Sequence, residues 1–322
     1  MLTCYIDEGD RLRAASPVEA LNDPRLVWLD MHDPDDAQDA AVERCYGIDV
    51  PSLAEMMEIE PSSRLYEENG ALYMTATLVA QVEAGDPVSA PVTFILAPKG
   101  LVTLRHADPK SFRIFAANVQ KTKLADTRPV GVFLSLLETV VARFADILEL
   151  VSSDTDQISS HVFRSEERKN ARPLERLLKD IGRCGELNSR VREAVASTIR
   201  LLTWFGHPDT GYSTDKQVRE RIKTLGRDMS SLGDHANAQA NKLQFLLDAT
   251  LGRINIVQTN IIKIFSVAAA AFLPPTLIAS IYGMNFDVMP ELHWRFGYPL
   301  AIGAMLLSAA LPLWYFKRKG WL

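Results

Sequence analysis

The sequence predicts an α+β cytosolic domain, a long stalk helix and two C-terminal transmembrane helices, and three observations carry that prediction. The first 105 residues break into short apolar segments separated by turn residues. Residues 215–273 contain no proline and carry a helical apolar stripe. Residues 264–281 and 296–316 hold no charge, and each is close to the ~20 apolar residues that cross a bilayer core as a helix.

The strand candidates of the first part are 2–6, 26–29, 64–67, 71–79, 92–96 and 102–105. Asn69-Gly70 is a hairpin turn signal, because both residues tolerate positive φ, and Pro98-Lys99-Gly100 marks a second hairpin. His32-Asp33-Pro34-Asp35-Asp36 reads as a helix start with its acids at the positive end of the helix dipole, so capping explains the run better than a metal cluster does.

From about Ser111 the chain turns helical. Residues 130–151 place apolar side chains at 133, 136, 137, 140, 141, 144, 147 and 148, one helical stripe. Residues 174–205 form a second long helix, and Gly206, Pro208 and Gly211 break it. A helix over 215–281 would run about 100 Å at 1.5 Å per residue, far longer than a globular domain needs. Val218, Ile222, Leu225, Met229 and Leu232 follow a 4-3-4-3 spacing that Leu243, Leu247, Leu251 and Ile254 resume. Such a heptad-like stripe suits several copies packed side by side. Gly226, Gly233 and Gly252 each weaken that helix by roughly 1 kcal/mol.

The predicted organisation is a mixed α/β cytosolic domain (1–125), a cytosolic helical region (126–214), a stalk helix (215–260), a first transmembrane helix (261–281), an extracytoplasmic loop (282–295), a second transmembrane helix (296–316) and a basic cytosolic tail (317–322). Charge sets the orientation. Lys263 precedes the first span and Lys317, Arg318 and Lys319 follow the second, while the loop carries Asp287 and Glu291. Basic flanks favour the cytosolic side, which puts both termini inside. The first ten residues carry Asp7, Glu8 and Asp10 and lack a basic-then-apolar leader.

Composition excludes several classes. Residues 1–100 hold 19 acids and 6 bases, net −13, whereas the remainder holds 21 acids and 29 bases, net +8. So acidic a leading domain argues against nucleic acid as a partner, because phosphate binding needs a positive surface. Cys4, Cys45 and Cys184 are scattered and form no metal-type pair. No Gly-rich phosphate loop, no histidine pair at metal-ligand spacing and no Ser/His/Asp or Cys/His set can be read from the sequence, so neither an enzyme nor a catalytic cofactor is expected.

One face of the long helix stands out. Gln244, Asp248, Asn255 and Thr259 make its lower part polar, Ile262, Phe265, Ala269 and Leu273 make its middle apolar, and Thr276 and Ser280 make its top polar again. Taken alone, this face fits a polar stripe in a helical bundle as well as a pore lining. Directly after it comes Tyr282-Gly283-Met284-Asn285-Phe286, between the two apolar segments. The chain continues through Met289-Pro290-Glu291-Leu292 and closes with Lys317-Arg318-Lys319-Gly320-Trp321-Leu322. In these residues the sequence resembles the CorA family of divalent-cation channels, whose signature is Gly-Met-Asn at the end of the first membrane helix. The match is strong over about the last 80 residues and weaker over the cytosolic part.

The resemblance implies a funnel-shaped homopentamer in the bacterial cytoplasmic membrane that passes Mg²⁺, and also Co²⁺ and Ni²⁺, inward. It assigns Gly283, Met284 and Asn285 to the selectivity entrance. It makes Asp248, Asn255, Thr259, Ile262, Phe265, Ala269, Leu273, Thr276 and Ser280 pore-lining, with Ile262 and Leu273 as apolar constrictions and Asp248 as an acidic ring near the cytosolic mouth. Asp287 and Glu291 become outer-loop acids that raise the local cation concentration. Channels of this family close when cytosolic Mg²⁺ fills acidic sites between neighbouring subunits. Asp228 and Asp234 are the stalk candidates for such a metal site, and Glu83 and Asp86 their partners. Mg²⁺ is thus expected as substrate and regulatory ligand, and the expected partners are further copies of the chain, membrane lipids and divalent cations, with no nucleic acid. Two rival readings stay open: a zinc transporter on the same scaffold, whose relatives depart from Gly-Met-Asn at the residue that Met284 keeps here, and a membrane-anchored sensor or scaffold without transport.

Overall fold

The computed structural model describes residues 1–164, 173–212, 215–285 and 289–321. It divides into two compact units, Met1–Leu246 and Leu247–Leu322.

The first unit is built on a seven-stranded sheet. Its strands are β1 (Leu2–Asp7), β2 (Leu12–Ala15), β3 (Leu26–His32), β4 (Leu65–Glu68), β5 (Ala71–Ala80), β6 (Val88–Ala97) and β7 (Gly100–Arg105), in the spatial order β2-β1-β3-β7-β6-β5-β4. All neighbours are antiparallel except β3 and β7, which run parallel. Every residue of β5 and of β7 is buried, as befits strands covered on both faces. The short helices α1 (Pro17–Ala20), α2 (Asp36–Tyr46), α3 (Leu53–Met57) and α4 (Pro61–Arg64) come between the early strands. One apolar cluster joins Tyr46 of α2 and Met56 of α3 to Leu29, Tyr73 and Val102 of the sheet. The helices α5 (Lys110–Val119), α6 (Pro129–Arg164) and α7 (Leu174–Phe205) cover the opposite face. There Phe133 of α6 meets Phe94 of β6 edge-on, centroids 5.5 Å apart, and Phe205 of α7 at 5.1 Å.

The turn chemistry follows the sequence. Asn69 and Gly70 both take positive φ, 52° and 74°, between β4 and β5. Asp35 caps α2 by accepting from the Gln38 N–H at 2.9 Å. Several boundaries differ by a few residues from those the sequence suggests, and three departures stand out. The edge strand β2 has only four residues and no apolar alternation to announce it. Strand β6 begins at Val88 and runs through Pro91, a residue that normally ends a ladder. Opposite Pro91 stands Thr77, whose N–H donates to Ser197 of α7 at 3.0 Å. Helix α6 runs to Arg164, past the expected end at 151, because buried Thr155 returns its hydroxyl to the Val151 carbonyl at 2.6 Å and the stripe continues with Ile158 and Val162.

A buried polar chain ties β3 to β7. The Trp28 indole N–H donates to Thr103 at 3.0 Å, Thr103 donates to Asp30 at 2.8 Å, and Arg105 pairs with Asp30 at 2.9 Å with both side chains 8% exposed. Arg105 also reaches Asp108 at 2.8 Å, so the buried charges are matched.

Helix α8 (Lys216–Tyr282) continues unbroken for 67 residues, and its part up to Leu246 belongs to the first unit. Val218, Leu225, Met229 and Ala236 enter the same core as α6 and α7. Asn188 of α7 donates to the Ala236 carbonyl at 2.9 Å.

The second unit holds the rest of α8 and α9 (Gly297–Arg318). Both helices are long and apolar enough to cross a membrane. Val267 and Ala271 on α8 and Ala301 on α9 are withdrawn from solvent, small or branched residues of the kind that let membrane helices approach closely.

Candidate functional site

The candidate site begins where α8 stops. The Gly283 N–H donates to the Ala279 carbonyl at 2.9 Å and the Met284 N–H to the Ile281 carbonyl at 3.3 Å, so Gly-Met-Asn is the first segment past the last helical turn. Gly283 does not take positive φ. The conformational freedom expected of it is therefore not what this position uses. A Cβ there would lie 3.2 Å from the Ala279 oxygen, so the requirement is a close approach of backbone to backbone. Met284 and Asn285 are exposed, and Asn285 makes no hydrogen bond to the described residues.

Below this turn, Asp248, Asn255, Thr259, Ile262, Phe265, Ala269, Leu273, Thr276 and Ser280 are all exposed. At 3.6 residues per turn Ile262, Ala269, Thr276 and Ser280 lie about half a turn around α8 from the covered positions Val267 and Ala271, with Thr259 and Asp248 to one side. Most of this part of α8 is exposed: off this column, Ile264 is 66% and Phe272 73% exposed, and Val267 and Ala271 are the covered positions. On the column Ile262 is 58%, Phe265 70% and Leu273 67% exposed, more apolar surface than one chain leaves in water without a partner. Asp248 has an interaction within the chain.

Pro274 and Pro275 lie inside α8 without ending it. They deprive the Ala270 and Ala271 carbonyls of their usual donors, and the Thr276 hydroxyl donates to the Phe272 carbonyl one turn back. Of the outer-loop acids, Asp287 lies outside the described residues, and Glu291 falls in a short 3-10 turn over Pro290–His293.

The four regulatory candidates separate. Glu83 is paired with Lys110 at 2.9 Å and with Arg143. Burial opposes its charge, but these two cations hold the Glu83 carboxyl below its usual range. Asp86 instead lines a cavity of about 330 Å³ between the β5–β6 connection and the helices α6 and α7, together with Asp154, Asp180 and Glu186. Asp154 and Asp180 were not singled out from the sequence; they are far apart along it, and only the antiparallel packing of α6 on α7 brings them to one place. Asp228 and Asp234 are exposed on α8, and Asp234 shares a groove with Glu193 of α7. Among the described residues no three His, Cys, Asp or Glu side chains converge tightly enough to hold a metal.

The fold and the site together define a membrane protein with an α/β body and a two-helix hairpin that carries Gly-Met-Asn at the end of its first span. The chain belongs to the family described as CorA-like Mg²⁺ transporter protein, whose family model matches residues 23–318. The magnesium transport protein CorA of Pasteurella multocida is 33% identical over 296 residues, 92% of each chain. The CorA magnesium transporter from Methanocaldococcus jannaschii has the same fold, with a TM-score of 0.75 over 100% of this chain and 99% of that one at 17% identity. The cytoplasmic domain of ZntB from Vibrio parahaemolyticus covers 79% of this chain and 97% of its own at a TM-score of 0.57; at 7% identity that likeness is one of fold alone.

Proposed function

We propose that this chain conducts Mg²⁺ inward across the bacterial cytoplasmic membrane as a homopentamer with both termini in the cytosol, and also passes Co²⁺ and Ni²⁺. The observation that carries the reading is the pairing of Asn285, exposed at the end of α8, with the bare column beneath it. A symmetric bundle covers that column and makes it a pore. In this assembly residues 1–125 and 126–214 form the cytosolic body, 215–260 the stalk, 261–281 the pore helix, 282–295 the outer loop and 296–316 the lipid-facing helix.

Mg²⁺ gives up its water reluctantly. A ring of Asn285 amide oxygens accepts hydrogen bonds from those waters and selects the hydrated ion without stripping it. A ring of carboxylates would hold the ion longer and slow its exit. Ile262 and Leu273 narrow the pore with apolar side chains that close it by dewetting. Membrane potential drives the flow: a divalent ion crossing 100 mV gains about 4.6 kcal/mol, twice the value for a unit charge. That favours accumulation by about three orders of magnitude and needs no nucleotide hydrolysis. The protein acts as a transporter and carries out no bond chemistry. Cytosolic Mg²⁺ closes it by filling sites that pair Asp228 or Asp234 of one subunit with Asp86 of the next, Glu83 being held by Lys110 and Arg143.

Liposomes containing the purified protein under an inside-negative potential test the reading. Wild type takes up Mg²⁺, and Asn285→Ala loses uptake or its selectivity among divalent ions. Equal flux in both proteins removes Asn285 from the entrance. No flux in correctly inserted wild type favours a membrane-anchored scaffold, and flux of Zn²⁺ without Mg²⁺ favours a zinc transporter.

A further inference from the structure

The proposed pore column leaves unassigned a cluster of cations and aromatic rings at the far end of the hairpin. Helix α9 ends there in a defined stop. Gly320 takes φ +71°, and the Trp321 N–H reaches back to the Phe316 carbonyl at 3.0 Å. A left-handed glycine followed by a bond five residues back is the Schellman arrangement, and its usual apolar contact is present. Trp321 stacks on Phe316 with centroids 5.1 Å apart and planes 23° apart. The turn folds the indole toward α8, where the Lys263 ammonium lies 5.9 Å from the ring centroid. Helical i, i+4 spacing adds two more such pairs, Arg318 over Trp314 and Lys319 over Tyr315, each at 5.6 Å.

These contacts hold the cations in place without neutralising them. By sequence the unit 247–322 has only three acidic side chains, Asp248, Asp287 and Glu291, the nearest of them 15 residues from Lys263. Lys263 stands 19 residues before Tyr282, the last residue of α8. That is about 29 Å of helix, the thickness of a hydrocarbon core. Lys263 and the tail therefore sit at headgroup depth, where aromatic side chains anchor helices and basic ones meet lipid phosphate.

The geometry points to an anionic-lipid site: Lys263, Arg318 and Lys319, steadied by Trp321, Trp314 and Tyr315, bind the phosphate of an anionic phospholipid in the cytosolic leaflet. The site rests on the reading that both helices cross the membrane with these ends in the cytosol. Its partner class follows from charge, since a zwitterionic headgroup offers no net charge to an uncompensated cluster of this kind.

Native mass spectrometry of the full-length protein with equal phosphatidylglycerol and phosphatidylcholine tests the site. Wild type retains phosphatidylglycerol in preference. Lys263→Gln lowers that preference about fivefold, the change expected for one basic residue at a membrane surface. Trp321→Ala leaves every charge in place and lowers it about threefold by releasing the cation from its ring. Equal retention of the two lipids by wild type overturns the site, as does an unchanged preference in both variants. Displacement of phosphatidylglycerol by millimolar inorganic phosphate also overturns the lipid assignment, leaving a free-anion site. Flotation of the wild type with vesicles is the control for the underlying reading: a protein that does not float has not inserted, which fails the membrane topology and not the headgroup preference.

Discussion

Gly283 donates its N–H to the Ala279 carbonyl at 2.9 Å, and a Cβ at 283 would stand 3.2 Å from that same oxygen. The neighbour is backbone and cannot rotate away, so any side chain here pushes the end of α8 by a few tenths of an ångström and carries Asn285 with it. Gly283→Ala is expected to fold and assemble with a Tm close to wild type while Mg²⁺ uptake falls about tenfold, a change of 1.4 kcal/mol in the barrier met by the ion. Liposome flux measured beside thermal unfolding checks both halves. Unchanged flux would mean that the position of Asn285 is not set by this contact.

Glu83 and Asp86 lie close in sequence and differ in what they touch. Glu83 already serves Lys110 and Arg143, whereas Asp86 opens into the cavity lined by Asp154 and Asp180. If cytosolic Mg²⁺ closes the channel through an acidic site, Asp86→Ala should raise the internal Mg²⁺ needed for closure about tenfold, the effect of losing 1.4 kcal/mol of binding. Glu83→Gln should leave the closing concentration unchanged and cost at most about 1 kcal/mol of stability, as a half-exposed ion pair does. Flux against internal Mg²⁺ for the two variants separates them, and the reverse order would return Glu83 to the site.

Gly131, in the first turn of α6, packs against Asp126. An added Cβ would fall 2.3 Å from the Asp126 Cγ and 2.6 Å from the Asp126 backbone oxygen. Gly131→Ala should lower stability by roughly 1–3 kcal/mol through overpacking. Removing the side chain in Gly131→Ala/Asp126→Ala should not restore it, because the backbone oxygen stays. Asp126 also gives a pH signature. Burial raises its pKa, but the hydrogen bonds and charge of Arg128 outweigh burial and hold the carboxyl below its ordinary range. A depressed carboxylate stabilises the folded state above its unfolded value, about 3.9, and the contribution disappears as pH falls through the lower folded value. Thermal unfolding between pH 5 and about 2 should therefore show less acid loss in Asp126→Asn than in wild type.

The long elements were legible in the sequence because a helical stripe or an uninterrupted apolar run repeats its signal over many residues. Residues 174–205 read as one long helix ended by Gly206, Pro208 and Gly211, and α7 spans Leu174–Phe205. The hairpin was legible for the same reason, and its Gly-Met-Asn turn gave the family. Single positions were harder. Four-residue β2 has too little length for a period, and Pro91 hides the start of β6 because a proline ordinarily marks the end of a ladder, whereas here it lies just past the last β6–β7 pair, Val92 with Arg105. The gathering of Asp86, Asp154 and Asp180 depends on three elements meeting, which no local pattern encodes. Gly283 shows the opposite case: the residue was legible and its reason was not, since a glycine for close approach and one for positive φ look alike in a sequence.

Leu273 offers the sharpest test of the proposed apolar neck. It is 67% exposed on α8, one residue before Pro274, with Ile262 three turns below on the same side. Its exposure in the single chain means that replacing it removes little packing within the subunit, so a polar side chain should change what lines the pore without unfolding the hairpin. A neck that closes by dewetting depends on apolar walls. Leu273→Asn supplies hydrogen bonds to water at that level and should keep the neck wet, so that Mg²⁺ leaks inward even when internal Mg²⁺ is high enough to shut wild type. Leu273→Met, apolar and of similar size, should close normally. Flux at high internal Mg²⁺ in the two variants is the measurement. Normal closure in Leu273→Asn would place the gate elsewhere on the column, with Ile262 next to be replaced.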